Sequence, residues 1–590
     1  MSVGRICRAV VLAASVAGVL ALTPSAASAA CPSGAQCASV TVPLDHSGAT
    51  AGTLSLAYAK VPASGTRVGT IVFLSGGPGQ AAVPLTKSVA DVLRPLSSSY
   101  DLVTVDQRGT GESGAVDCSF ERLDDVTACA NALGAKRPYW NTPETAKDLE
   151  DLRVALGVDK LTLLGVSYGA KVAAEYARRY PASTAALILD SPAPVDGLDG
   201  YDQLRTLGTP RVLDEVCFPG PCAVTVRDAD AALAAAVKRV QRAAVRGPVV
   251  SRSGQVSTAR VTEAGLYSAL SQSDLSPSLR AGLPAALASL ADGDAAPFLH
   301  LLVLEPAGAI GGDDVNTARL LATSCIEGRL PWAPDSAVAS RTGAVKSFLT
   351  ANADVFAPFS PDTVLSASLV GLCAEWPPTP RPEAVSYLGP DVPVLVLSGR
   401  ADLRTPLEDA RRTAAQYPHA RVLAVPGVGH SVLSTDLSGC AVRGAAAFLA
   451  GREVATCSRT SAAARFQALS APFAPASIAD LRPIGASGLP GRTFSAVSVT
   501  LAGVGYDSAF ATSGRRPGLR AGYVVSTRSK LTLRGVEWIR GVRVSGSLSS
   551  RGAGTLTVSG PSAAAGTLTF SRSHVTGVLG GRSISIGATT

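Results

Sequence analysis

The stretch LLGVSYGAKVA, residues 163–173, contains a Gly-x-Ser-x-Gly pattern centred on Ser167. In that pattern a serine sits on a sharp turn from strand to helix, with its hydroxyl clear of the sheet. Gly and Ser each form about a tenth of the chain, so about one position in a thousand matches by chance, and the pattern alone proves little. The flanks decide the reading. LTLLGV before Ser167 reads as a buried strand and AKVAAEYARRY after it as a helix, and no second Gly-x-Ser-x-Gly occurs. Working outward, ASVTVPLDH and GTLSLAYAKV read as strands. GTIVFLSGGPG and DLVTVDQRGTGES each run from an apolar strand into a Gly-rich loop, and TPETAKDLEDLRVAL has helical spacing with a Thr-Pro start. Strands alternating with helices predict an α/β class with a largely parallel sheet covered by helices.

A nucleophilic serine needs a base, and the chain has five histidines: His46, His300, His419, His430 and His574. Active sites of open α/β sheets lie at the carboxyl ends of strands, and here the base should follow the nucleophile. His46 precedes Ser167, His300 lies in a helical insertion, His574 is in a β-rich tail, and His419 stands at the amino end of the strand ARVLAVPG. His430 follows that strand in GVGHS. For the acid, VPVLVLSGRADLRTP places Asp402 just past an apolar run, with Asp190 at the end of AALILD as the alternative. Asp402 keeps the order Ser, Asp, His. Developing charge on the substrate oxygen needs backbone donors, and the expected pair is the N–H of Tyr168 and that of Gly77 in SGGPG. No cofactor is expected, and the absence of Cys-x-x-Cys or clustered His argues against a metal site.

Arg5 and Arg8 precede an apolar run from Ala9 to Leu22 and the small-residue stretch TPSAASAA, which predicts a secretory signal peptide over residues 1–29, cleaved after Ala27-Ser28-Ala29. A lipid-modified Cys31 is the rival reading. No later segment has the ~20 apolar residues of a transmembrane helix. Ten cysteines remain beyond Cys7, and an even number in an exported chain predicts disulfides. Spacing does not fix connectivity; sequence neighbours suggest Cys31 with Cys37, Cys118 with Cys129, Cys217 with Cys222, Cys325 with Cys373, and Cys440 with Cys457.

Charge divides the chain. Residues 458–590 hold fifteen Arg and Lys against three Asp and Glu, whereas residues 30–457 are acidic overall. RTFSAVSVTLAG, KLTLRGVEWIRG, GTLTVSG and GTLTFSRS read as strands of an all-β appendage, joined by a linker at Ala471–Pro490. The expected organisation is a core over 30–193 and 392–457, a helical cap over 194–391, and a basic β-rich domain over 458–590. The surplus of twelve positive charges suits an anionic surface such as cell-wall polymer; nucleic acid is not expected for an exported chain.

Taken together, GGPG at 76–79, DQRGTGES at 106–113, GVSYGA at 165–170, GRADLRTP and GVGHS resemble the prolyl-iminopeptidase-like family of α/β-hydrolase serine peptidases. CASVTVPLDH, the Cys pair after DQRGTGES and CAEWP are similar to its exported tripeptidyl-aminopeptidase branch. Ser75 departs from the pattern, since many members carry His before the glycines. The resemblance covers roughly residues 31–457 and leaves the tail unexplained. It implies an α/β-hydrolase fold with a cap, no cofactor, and peptide substrates with a free N-terminus. Their ammonium would pair with a carboxylate; Glu327 in SCIEGRLPW and Glu375 in CAEWPP are the candidates, and the resemblance favours Glu327. The activity expected is a secreted or wall-associated aminopeptidase releasing short N-terminal units, with a secreted esterase or lipase, or a non-catalytic wall-binding protein, as the alternatives.

Overall fold

The computed structural model describes residues 31–118, 124–201, 203–218, 220–224, 226–304, 315–333, 336–382, 388–510 and 514–587. The expected signal segment lies outside the described residues. In chain order the strands of the first part of the chain are β1 (Gln36–Pro43), β2 (Thr53–Val61), β3 (Gly69–Leu74), β4 (Tyr100–Val105), β5 (Leu161–Val166) and β6 (Thr184–Asp190). A hairpin β7 (Val245–Val250) and β8 (Val256–Val261) follows, then β9 (Val394–Gly399) and β10 (Arg421–Val425). All but the hairpin form one eight-stranded sheet in the order β1-β2-β4-β3-β5-β6-β9-β10. β1 and β2 pair antiparallel, as do β2 and β4, and every later neighbour is parallel.

The central strands read as unbroken apolar runs because both faces are covered. One face packs Leu163, Leu187 and Val396 against Leu149, Leu152 and Tyr176 of two helices, and the other packs Leu164, Ile188 and Leu397 against Leu93, Val432 and Ala445. The helix Thr142–Ala155 starts where the sequence marks it. Asn141 Oδ1 accepts the Glu144 N–H at 2.8 Å, and Pro143 stands in the first turn, where no N–H is required. This topology brings SGGPG, DQRG, Ser167, Asp190, Asp402 and His430 to the carboxyl ends of their strands, at one edge of the sheet.

The cap is largely helical, as expected, but also contains the β7–β8 hairpin, which the helical reading of that region did not anticipate. All five disulfides join the suggested partners, the chemistry of an oxidising compartment.

The tail corrects two expectations. RTFSAVSVTLAG is not a strand; it lies in a helix, Gly488–Ala509. A short apolar run fits either period, and burial selects the helical one, recurring at Thr493, Val497, Thr500, Val504 and Asp507. Eight antiparallel strands then run in sequence order over residues 514–587. Their inner side chains, among them Val524, Leu533, Val544, Leu556 and Ile584, share an apolar cluster with Phe494 and Val497 of the helix. Gly503 lies so close to Trp538 that a Cβ there would stand 2.2 Å from the indole.

Nor is Ala471–Pro490 a free linker. Ala471 donates its N–H to the cap carbonyl of Ala281 at 2.8 Å, and Ala474 is buried in the tail's apolar cluster beside Ala296 of the cap. Polar contacts complete the docking. Arg520 grips Asp294 with both terminal nitrogens, one at 2.9 Å. His300 Nε2 stands 3.0 Å from Asp507 Oδ2, and Tyr506 donates to the Ser278 carbonyl at 2.8 Å.

Burial opposes ionisation of Asp294, but the hydrogen bond and charge of Arg520 outweigh it and hold the carboxyl below its ordinary range. The stabilisation is therefore complete above that range and declines as acid carries the pH down through the lowered value. Asp294→Ala would strand Arg520, which is 4% exposed at its side chain, at a cost of about 3–5 kcal/mol. The tail should then be cut by protease at a temperature where the disulfide-bonded core still resists, and fragment mapping during limited proteolysis measures this.

Candidate active site

Ser167 follows β5 directly and precedes the helix Tyr168–Arg179, with φ 57° and ψ −117°, a left-handed conformation uncommon outside glycine. Its neighbours explain the pattern. A Cβ on Gly165 would lie 2.3 Å from the Gly169 carbonyl oxygen, one on Gly169 2.2 Å from that of Leu74, and one on Gly76 2.9 Å from the Ser167 Cβ. The turn closes only because these positions carry no side chain. The Ser167 backbone is fixed as well, its N–H donating to the Asp190 carbonyl at 2.9 Å and its carbonyl accepting from Ala193 at 3.1 Å.

Of the two acids, Asp402 is the one that touches the imidazole: its Oδ2 lies 3.0 Å from His430 Nδ1, and both residues are buried. Asp190 is engaged elsewhere. Its oxygens accept the N–H groups of Val432 and Leu433, each at 2.8 Å, so it braces the loop that carries the histidine. Burial opposes the Asp402 charge, but His430 and hydrogen bonds from Thr405 prevail, and the carboxyl stays below its ordinary range. The cap reaches this loop too. His430 donates its N–H to the Asp274 carbonyl at 3.0 Å, and Arg280 bonds the Ser273 carbonyl at 3.0 Å and the Gly427 carbonyl at 3.3 Å. Burial pushes the Arg280 guanidinium down to about 10.

Thr405 is a residue the sequence reading missed. Its hydroxyl lies 2.9 Å from Asp402 Oδ2 and 3.1 Å from His430 Nδ1, and its N–H donates to Asp402 Oδ1 at 2.9 Å. The position three residues after the acid in ADLRTP was the available signal.

Gly77 takes φ 108°, and the Tyr168 N–H stands in the first turn of its helix, where no intrahelical acceptor exists. Neither amide donates to another described backbone group. Gly77, Ser167 and Thr405 line one cavity of about 580 Å³ between sheet edge and cap. DQRGTGES serves as scaffolding beneath it. Asp106 accepts the N–H groups of Ala82 and Val83 at 2.7 and 2.8 Å, Gln107 donates to the Ser75 carbonyl at 2.9 Å, and Arg108 makes two 2.6 Å bonds to buried Asp148.

The glutamates fall elsewhere. Glu327 ends the cap helix Thr317–Glu327, but its carboxylate turns into the core rather than the cavity. There it lies 3.1 Å from Lys171 Nζ, accepts the Thr142 N–H at 2.5 Å and its hydroxyl at 2.6 Å, and is 4% exposed. With its charge already matched, the expected pairing of Glu327 with a substrate ammonium does not fit this geometry; it fastens the cap to the core instead. Glu375 is half-buried at the end of its helix, off the cavity lining, where its charge acts on Arg341. Among the described residues two carboxylates line the cavity, Asp199 and Asp409, and neither stands out in the sequence.

Comparison with known families matches residues 69–228 to the alpha/beta hydrolase fold and residues 357–457 to TAP-like proteins. The fold is that of the α/β hydrolases. Serine protease Hip1 of Mycobacterium tuberculosis is 31% identical over 187 residues, covering 27% of this chain and 36% of that protein. Tripeptidyl aminopeptidase of Streptomyces lividans is 30% identical over 191 residues, covering 27% and 36%. Carboxylesterase B of Mycobacterium tuberculosis is 39% identical over 85 residues, covering 13% and 16%. The matched stretch thus spans about a third of the length of the first two relatives, and the motif-based resemblance to serine peptidases of this fold recurs in these similarities.

Ser167→Ala and His430→Ala are expected to lower kcat by ~10⁴ or more with the thermal unfolding temperature little changed. Thr405→Val should lower kcat by about tenfold with KM held, and Thr405→Ser should restore it, as steady-state kinetics on one chromogenic substrate would reveal.

Proposed function

We propose that this chain is an exported serine aminopeptidase that releases short N-terminal units, tripeptides among them, from peptides. The observation carrying this reading is a serine on a strained turn opening into a capped cavity, with an Asp402–His430 pair on adjacent strand ends, in a chain with a TAP-like segment. In the reaction His430 takes the Ser167 proton as Oγ attacks the scissile carbonyl, and Asp402 balances the imidazolium. The N–H groups of Gly77 and Tyr168 receive the oxyanion. His430 then protonates the departing amine, leaving the N-terminal unit esterified to Ser167. Water, deprotonated by His430, releases that unit as an acid and restores the serine. A cap over the site favours a chain end over folded protein.

The matched stretch of carboxylesterase B favours one alternative, an esterase working through the same residues. Tripeptide p-nitroanilides with a free and with an acetylated N-terminus separate the two. The aminopeptidase is expected to cleave the free form with kcat/KM at least about tenfold higher, and equal rates would support the esterase.

The basic tail is proposed to hold the enzyme on anionic polymer. Arg551, Arg572 and Arg582 are exposed on it. Replacing all three by Gln should lower the salt concentration that elutes the protein from dextran sulfate while peptide cleavage is unchanged, because attraction between exposed charges is screened by salt. Unchanged elution would assign the arginines to solubility.

A further inference from the structure

An N-terminal ammonium entering the cavity loses water and requires a negative partner there, and the charges of the described residues around the cavity can be sorted by pairing. The lining carries Asp199, Asp409, Arg205 and Arg404. Asp409 is paired with Arg412 and buried. Arg404 reaches Asp274 at 3.3 Å, and Arg205 donates to the Ser271 hydroxyl at 2.7 Å. Asp199 differs from the other carboxylates near the site. One oxygen accepts the Leu204 N–H at 2.9 Å, and no described Lys, Arg or His forms an ion pair with it.

The placement of Asp199 is fixed by the same part of the cap that holds Glu327. Leu198 bridges to Gly328, and its carbonyl accepts the Arg329 N–H at 3.0 Å, so the turn after Glu327 straps the Asp199 segment in place. At its other end the segment starts from the bonds that β6 and Ala193 make with the backbone of Ser167. One short length of chain thus connects the nucleophile's support to a half-buried carboxylate facing the same cavity.

We propose that Asp199 is the residue that binds the substrate's N-terminal ammonium, an inference that rests on the aminopeptidase reading above. With the ammonium on Asp199 and the scissile carbonyl at Ser167, the distance between them sets how many residues are released. An acetylated N-terminus brings no positive charge and leaves the carboxylate desolvated without a partner, so such peptides are rejected.

The test is Asp199→Asn, which keeps an oxygen for the Leu204 N–H while removing the charge. It is assayed with wild type on free and acetylated tripeptide p-nitroanilides and on p-nitrophenyl acetate. The variant should lose at least about tenfold in kcat/KM on the free-amine peptide, chiefly through KM. Activity on the acetylated peptide and on the ester should stay within about threefold, which also reports intact folding. If wild type prefers the free amine and the variant keeps that preference, Asp199 is not the anchor while the aminopeptidase reading survives. If wild type shows no preference, both fall. Asp199→Ala serves as the second variant, and parallel losses on all three substrates in both variants would make the residue structural and overturn the proposal.

Discussion

A single backbone reversal at Ser167 governs the edge of the sheet where the strands' carboxyl ends meet the cap. The serine can hold φ 57° only while Gly165, Gly169 and Gly76 let three chain segments approach closer than any Cβ would allow. That proximity presents the Tyr168 amide at the start of its helix, and it brings the SGGPG loop against the serine side chain. The neighbouring strand ends then supply Asp402 and His430, the latter followed by a second left-handed residue, Ser431 at φ 61°. Strain at one residue is offset by hydrogen bonds to its N–H and carbonyl and by the burial of the strands on either side.

A second constraint is electrostatic and lies beneath the site. Lys171 on the helix after Ser167, Thr142 at the start of another helix and Glu327 from the cap meet in a region with almost no solvent contact. Beside them Arg319, fully buried, donates to the hydroxyls of Thr145 and Tyr168 at 3.0 and 3.1 Å. Burial raises the Tyr168 phenol well above its ordinary range, so it remains a neutral partner in this cluster. Removing Lys171 or Glu327 would leave the other charge stranded in a low-dielectric interior, so this pair fastens the cap to the core.

Much of this is legible in the sequence. Continuous apolar runs ending in Gly-rich loops mark parallel strands and their carboxyl ends, which is where Ser167, Asp402 and His430 lie, with Asp402 against His430. The disulfide partners lay close enough in sequence to be paired. What stayed hidden depends on distance along the chain. Glu327 looks available because its partner Lys171 is far away in sequence, and Asp199 looks ordinary because the lack of a cationic partner among the described residues is a property of the folded surroundings. Thr405 was passed over because a hydroxyl shows its value only against the groups it touches. The helix Gly488–Ala509 looked like a strand because a dozen small and apolar residues satisfy both periods until one face is buried.

The tail's contacts also bear on the order in which the molecule is assembled. Its eight strands each pair with the next in sequence, a local pattern that forms quickly once the segment exists. The partners it covers, Ala281, Asp294 and His300, are made some two hundred residues earlier. As the chain emerges from its amino end, those cap surfaces wait uncovered until residues 471–540 arrive. A molecule interrupted within the tail would therefore carry the whole Ser167 edge yet present an apolar, half-charged cap face to its neighbours, making association with other unfinished chains its characteristic failure.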